Sequence, residues 1–171
     1  MPSVEIELNP VDFVTVGTVG PKGKRVFHLQ AGKGIQLVSL VIEKEQAWAL
    51  SDAIKELMED LDKRFPGKQG QVDMSKIDMD LREPIEPIFR VAQMALGYDE
   101  DHDMVVLVAQ ELVVPNPSEE ELPEDAKPDP SIVRMWCNRE QMQALSLQAL
   151  SMVQSGRADP KQNGRLVYYW T

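Results

Sequence analysis

Cysteine is nearly missing from this chain: Cys137 stands alone among 171 residues. A single thiol excludes an intrachain disulfide and any zinc site built on several cysteines. Histidine is almost as scarce, with only His28 and His102, and neither lies beside Cys137 in sequence. Basic residues are in deficit, 18 Lys and Arg against 28 Asp and Glu, for a formal net charge of −10. Nucleic-acid affinity depends largely on Lys and Arg displacing counterions, so this balance argues against a general phosphate-backbone binder. No apolar run approaches the roughly 20 residues needed to cross a bilayer. The opening "MPSVEIELNP" also has no basic segment followed by an apolar one, so a cytoplasmic protein with no membrane partner is the expectation.

What is there suits a folded domain. An apolar fraction of 43% and a charged fraction of 27% are ordinary for a soluble globular protein, and the length allows a sizeable core. "SVEIEL" alternates apolar and polar residues with the period of a half-buried strand, and Asn9-Pro10 ends it. "VDFVTVGTV" and "KRVFHLQA" flank the turn signal "GPKG", and "GKGIQLVSLVI" supplies a further strand. At Glu43 the period changes: Ala47, Leu50, Ile54, Leu57, Met58 and Leu61 fall at helical spacings, until Pro66 and Gly67 stop the pattern. "IFRVAQMAL", "MVVLVAQELVV" and "IVRMWC" then read as strands. A second helical stripe follows on Met142, Leu145, Ala149, Met152 and Val153, widened by Leu147 and Leu150.

The chain repeats a phrase. Residues 38–51 and 133–146 align without a gap and share six of fourteen residues, Val38/Val133, Glu45/Glu140, Gln46/Gln141, Ala49/Ala144, Leu50/Leu145 and Ser51/Ser146. Composition alone gives roughly one such match. Glu and Gln in a first helical turn suit the unpaired backbone N–H groups there, so the phrase marks the same strand-to-helix junction twice. The expected fold is therefore α+β, with two βββα pseudo-repeats forming a mainly antiparallel sheet structure with two long helices. Within one domain, the first repeat takes residues 11–64, a connector 65–87 and the second repeat 88–155. A Pro-rich acidic insertion lies at 115–130 and a C-terminal strand at 164–170.

"FVTVGTVGPKGKRVFHLQA", "VSLVIEKEQAWALSDAI", "FRVAQMALGYDED" and "SGRADPKQNGR", in this order, resemble the bacterial domain-of-unknown-function family 3090. The resemblance runs over most of residues 11–165 and implies a fold rather than a reaction. Members of that family commonly carry a cysteine- and histidine-bearing segment between the elements that here look like Gly156-Arg157 and Asn163-Gly164. This chain has "ADPKQ" there, so the resemblance implies no zinc knuckle.

Candidate site residues come from polar groups in apolar strands. Arg90 and Gln93 interrupt "IFRVAQMAL", Gln30 and His28 interrupt "RVFHLQA", and Glu43 and Glu111 stand at strand ends. A buried guanidinium or amide needs partners, and clustered partners make either a ligand site or a structural tie between the repeats. Arg90, Gln93, Gln30, Glu43 and Glu111 are thus the ligand-binding candidates. Asp99, Asp101 and Asp103 alternate along "YDEDHDM", but Met104 and Gln110 stand where an EF-hand needs Gly and Glu, so a solvated turn is expected and no metal. "GPKGKR" and "AGKGI" lack the length and the final Lys-Ser/Thr of a phosphate-binding loop. No catalytic set and no cofactor is indicated. The leading reading is a non-enzymatic binding or adaptor module for a protein or small-molecule partner. An enzyme or ligand sensor with a pocket at the repeat junction is the alternative. A single-stranded nucleic-acid binder of PUR- or Whirly-like architecture is the third reading, opposed by the charge. Sheet edges also admit a homodimer.

Overall fold

The structure is a computed structural model that describes residues 3–21, 23–66, 72–114, 122–127 and 129–155. Seven strands form one sheet: β1 (Glu5–Leu8), β2 (Phe13–Val19), β3 (Val26–Lys33), β4 (Gln36–Ile42), β5 (Pro87–Asp99), β6 (Met104–Glu111) and β7 (Ile132–Cys137). Two helices accompany it, α1 (Lys44–Arg64) after β4 and α2 (Arg139–Ser155) after β7. The expected C-terminal strand 164–170, and residues 115–121 of the acidic insertion, lie outside the described residues.

The sheet is mixed. Its order is β1-β7-β6-β5-β4-β3-β2, with antiparallel pairs β2/β3, β3/β4, β5/β6 and β6/β7. The pairs β1/β7 and β4/β5 are parallel. A parallel neighbour requires a long crossover, and between β4 and β5 that crossover is α1 with residues 65–86. Although β1 and β2 stand at opposite ends of the order, only residues 9–12 separate them in the chain. The Val11 N–H also donates to the Trp136 carbonyl at 2.9 Å, so the sheet curls until its two ends meet.

The core lies between one face of this curled sheet and the helix pair. Val14, Val16, Leu29, Leu40, Leu107 and Met135 pack with Leu50, Ile54, Leu61, Met142 and Leu145. Most of the predicted helix stripes point inward. Leu147 does not: it is 49% exposed, because two residues from Leu145 turn it some 200° around the helix. The helices touch at their repeated serines. Ser51 Oγ donates to the Ser146 carbonyl and Ser146 Oγ to the Ser51 carbonyl, each at 2.8 Å. The two repeated glutamines act alike: Gln46 Oε1 accepts from the Glu43 N–H and Gln141 Oε1 from the Asn138 N–H. Their amide nitrogens then donate across the molecule, Gln46 to the Val91 carbonyl and Gln141 to the Val11 carbonyl, both at 3.1 Å.

The other face of β2–β4 is covered by the connector. Thr15 Oγ1 donates to the Met79 carbonyl at 2.6 Å. Gln30 binds the backbone of Arg82 twice, Nε2 to the carbonyl at 2.8 Å and Oε1 from the N–H at 2.7 Å. Arg82 itself lies over the Phe13 ring, 3.6 Å from its centroid. Gly17 makes room for this strap, since a Cβ there would stand 2.5 Å from Leu81 Cγ. His28, paired with Gly17 in the sheet, is only 5% exposed. Its Nδ1 faces the Val26 carbonyl at 3.1 Å, and burial lowers its pKa from the ordinary histidine value, with the Val26 bond opposing in part.

Two outcomes follow from the strap. Gly17→Ala is expected to lose about 1–3 kcal/mol in urea unfolding by overpacking against Leu81, and Leu81→Ala in the same chain should recover part of that loss. Because the folded state resists protonating His28, its contribution is complete above about pH 6.5 and declines below it. The decline is at most about 1.4 kcal/mol per pH unit. Measured between pH 7 and 5, His28→Val should flatten this acid limb relative to the parent; an unchanged slope would contradict the assignment.

Candidate functional site

The β4–β5 seam is where the two halves of the sheet meet side by side, with Val41 opposite Arg90. β4 leads through Glu43 into α1, so the helix start is delivered to the same place. Arg90 Nη1 donates to Glu43 Oε1 across the seam. Beside this pair opens a cleft of about 370 Å3, floored by Phe27 and Ile42 and walled by Arg25, Lys44, Glu45 and the pair itself. Arg25 Nη1 donates to the Ser155 carbonyl at the end of α2, at 3.0 Å. A guanidinium has five N–H donors, so both arginines keep donors for a further acceptor.

Of the five ligand-binding candidates, Arg90 and Glu43 come together here. The other three are engaged elsewhere. Gln30, fully buried, is clamped by the strap and by Ser39, to whose Oγ its Nε2 donates at 3.0 Å. Gln93 donates to Gln110 Oε1 at 3.0 Å on the surface. Glu111 Oε1 accepts from the Ser131 N–H at 3.0 Å and so closes the end of β6. Arg25, Lys44 and Glu45 were not among the candidates. The one signal for Arg25 is the concentration of cations in "GPKGKR", a stretch that also reads as a plain turn; Lys44 and Glu45 lie in the helix-entry phrase and carry none.

A chain this acidic also holds a cationic tie away from the cleft. Arg139, whose side chain is 11% exposed, reaches Asp103 through Nε at 2.8 Å and Asp62 through Nη1 at 3.8 Å. Tyr98 donates from its hydroxyl to Asp103 at 2.7 Å. Burial first, and the Asp103 bond second, raise the Tyr98 pKa. These contacts join the last turns of α1, the β5–β6 turn and the first turn of α2. His102 stays within that β5–β6 turn, its Nδ1 2.8 Å from Asp99 Oδ2. Among the described residues no three His, Cys, Asp or Glu side chains are placed to hold a metal ion. No helix among them is long and apolar enough to cross a membrane.

A family model described as "Protein of unknown function (DUF3090)" matches residues 6–163. The chain belongs to this DUF3090 family. No curated protein and no solved structure matches it. Residues 158–162, where the resemblance led to the expectation of a missing Cys/His segment, lie outside the described residues.

Cys137, the lone thiol of this DUF3090 chain, is fully buried and 3.6 Å from the Met135 carbonyl. Burial pushes its pKa up to about 12, and the thiolate is the reactive form. At pH 8 a chromogenic disulfide reagent should therefore label the native protein only as fast as it opens, and the denatured protein at once. Rapid labelling of the folded chain would refute the buried placement.

Proposed function

We propose that the chain is a non-enzymatic binding module and that its ligand is a small anion with an apolar portion, held in the cleft at the β4–β5 seam. One observation carries this reading: in a chain of net charge −10, the cations Arg25, Lys44 and Arg90 outnumber the carboxylates Glu43 and Glu45 around one cleft whose floor is Phe27 and Ile42. A volume of about 370 Å3 lies within the span of small-molecule sites, which combine apolar walls with a few polar groups. Arg90 neutralises Glu43, and an incoming carboxylate or phosphate would compete with Glu43 for the same guanidinium. The buried thiol of Cys137 and the buried ring of His28 support binding over catalysis, because neither is available as a nucleophile or base.

The reading also extends to the fold. We propose that β2–β3–β4–α1 and β5–β6–β7–α2 are copies of one βββα unit. The reciprocal serine bonds and the reciprocal glutamine bonds support this, since each is what a rotation exchanging the two units would produce. The cleft then sits at the seam between copies.

Phenyl phosphate is a suitable probe because it joins a dianion to a ring. In calorimetric titration it is expected to bind with a dissociation constant on the order of 1 mM or below. Arg90→Gln should weaken it at least tenfold, roughly 1.4 kcal/mol. Glu43→Gln should strengthen it by releasing Arg90, a result that a purely structural ion pair would not give. Absence of saturable binding, or equal affinity in the parent and both variants, would overturn the proposal.

A further inference from the structure

Under the proposed equivalence of the two units, every charged residue of the cleft has a counterpart in the second unit. Arg25 stands immediately before β3 and Asp103 immediately before β6, while Lys44 and Arg139 open α1 and α2. The floor pair Phe27–Ile42 corresponds to Val105–Cys137. Glu43 answers to Asn138, each accepting at a helix entry from the Gln that follows it. Arg90 and Pro10 are the residues before Val91 and Val11, whose carbonyls take the two glutamine bonds.

In the second unit the helix-start cation meets a carboxylate of the chain itself. Asp103 Oδ1 accepts from Arg139 Nε at 2.8 Å and from the Tyr98 hydroxyl at 2.7 Å. In the first unit Arg25 takes the position of that carboxylate. Arg25 and Lys44 are half-buried, and among the described residues neither has a carboxylate within salt-bridge distance. Burial strips water from both cations, and the neutral Ser155 carbonyl on Arg25 returns only part of that loss.

Charge and spacing then define what is missing. At the matched positions the first unit holds Arg25, Lys44 and Arg90 against Glu43 and Glu45, and the second holds Arg139 against Asp103 and Glu140. The first unit is therefore more positive by two charges. Arg90 on β5 and Arg25 at the start of β3 flank β4 from opposite sides, which sets their backbones two strand spacings, about 10 Å, apart. The apolar floor of Phe27 and Ile42 lies in the same cleft. Two anionic ends joined by an apolar spacer match this layout better than one compact anion does.

We infer that the ligand is a small dicarboxylate, with one carboxylate on Arg90 and the other seated by Arg25 and Lys44, where the second unit seats its own Asp103. This rests on the reading of the cleft as an anion site and names the class of anion.

Terephthalate is the probe, with benzoate and phthalate as controls: benzoate has one carboxylate, and phthalate has two side by side. In calorimetric titration terephthalate should bind the full chain at least tenfold more tightly than either control. Lys44→Gln should erase that advantage, as should Arg25→Asp, which builds the second unit's carboxylate into the first. Without ligand, Arg25→Asp should unfold at a higher urea concentration than Arg25→Ala, which loses the same Ser155 bond, and adding Lys44→Gln should cancel the difference. The extra negative charge alone predicts the opposite order in a chain of net charge −10. A terephthalate advantage that is absent, or that survives Lys44→Gln, overturns the inference, and so does an Arg25→Asp chain no more stable than Arg25→Ala. If phenyl phosphate binds through Arg90 while terephthalate shows no advantage, the dicarboxylate falls and the anion cleft stands. If none of the four compounds binds, both fall.

Discussion

Everything in this molecule hangs on how closely two helices can approach. α1 and α2 cross at Ser51 and Ser146, whose hydroxyls reach each other's backbone carbonyls at 2.8 Å. Only a side chain of this size lets two helix backbones come within one hydroxyl of contact, and each bond returns about 1 kcal/mol net. The close crossing lets one helix pair fill the interior of the curled sheet, with Leu50 and Leu145 at most 4% exposed on either side of it. The glutamine bonds to Val91 and Val11 then hold each helix start against the opposite half of the sheet.

Once the helices occupy one face of the sheet, the two halves of its other face are treated unequally. β2–β4 is buried on both sides, by the helices and by the strap at Met79–Arg82, so it tolerates Thr15, Gln30 and Ser39 in its interior only because each is hydrogen-bonded. β5–β7 keeps the alternation of a sheet with one solvated face: Val105, Leu107 and Ala109 are buried while Val106, Val108 and Gln110 are half-buried. The cleft at the β4–β5 seam lies at the boundary between these regimes, where Arg90 leaves one half to meet Glu43 of the other.

Much of this was legible beforehand, residue by residue. The helix stripes, the "GPKG" turn, the "GYDEDHD" turn and the entry of both helices at the repeated Glu-Gln all follow from spacing, which is local. Arg90 and Glu43 could be named because charge at a strand position is conspicuous. Gln30 was conspicuous for the same reason and yet serves the strap, since an amide bonds a peptide backbone as readily as a ligand and the two uses look alike in sequence. Arg25 and Lys44 escaped notice because a cation beside a turn or at the start of a helix ordinarily faces water. Arg139 escaped because a single arginine after an N-cap gives no sign that Asp62 and Asp103 will close around it.

Local physics therefore set the elements of this protein: hydrophobic period separates strand from helix, and glycine, proline and capping side chains end each one within a residue or two. Tertiary structure alone decided which strands became neighbours beyond the hairpins. The parallel seams β1/β7 and β4/β5 join residues far apart in the chain, and their register comes from sheet closure and helix burial rather than from any turn. The cleft, the buried arginine and the half-buried outer face of β5–β7 all depend on those seams. Their energies arise from long-range burial and pairing of charge, and no short stretch of residues records that.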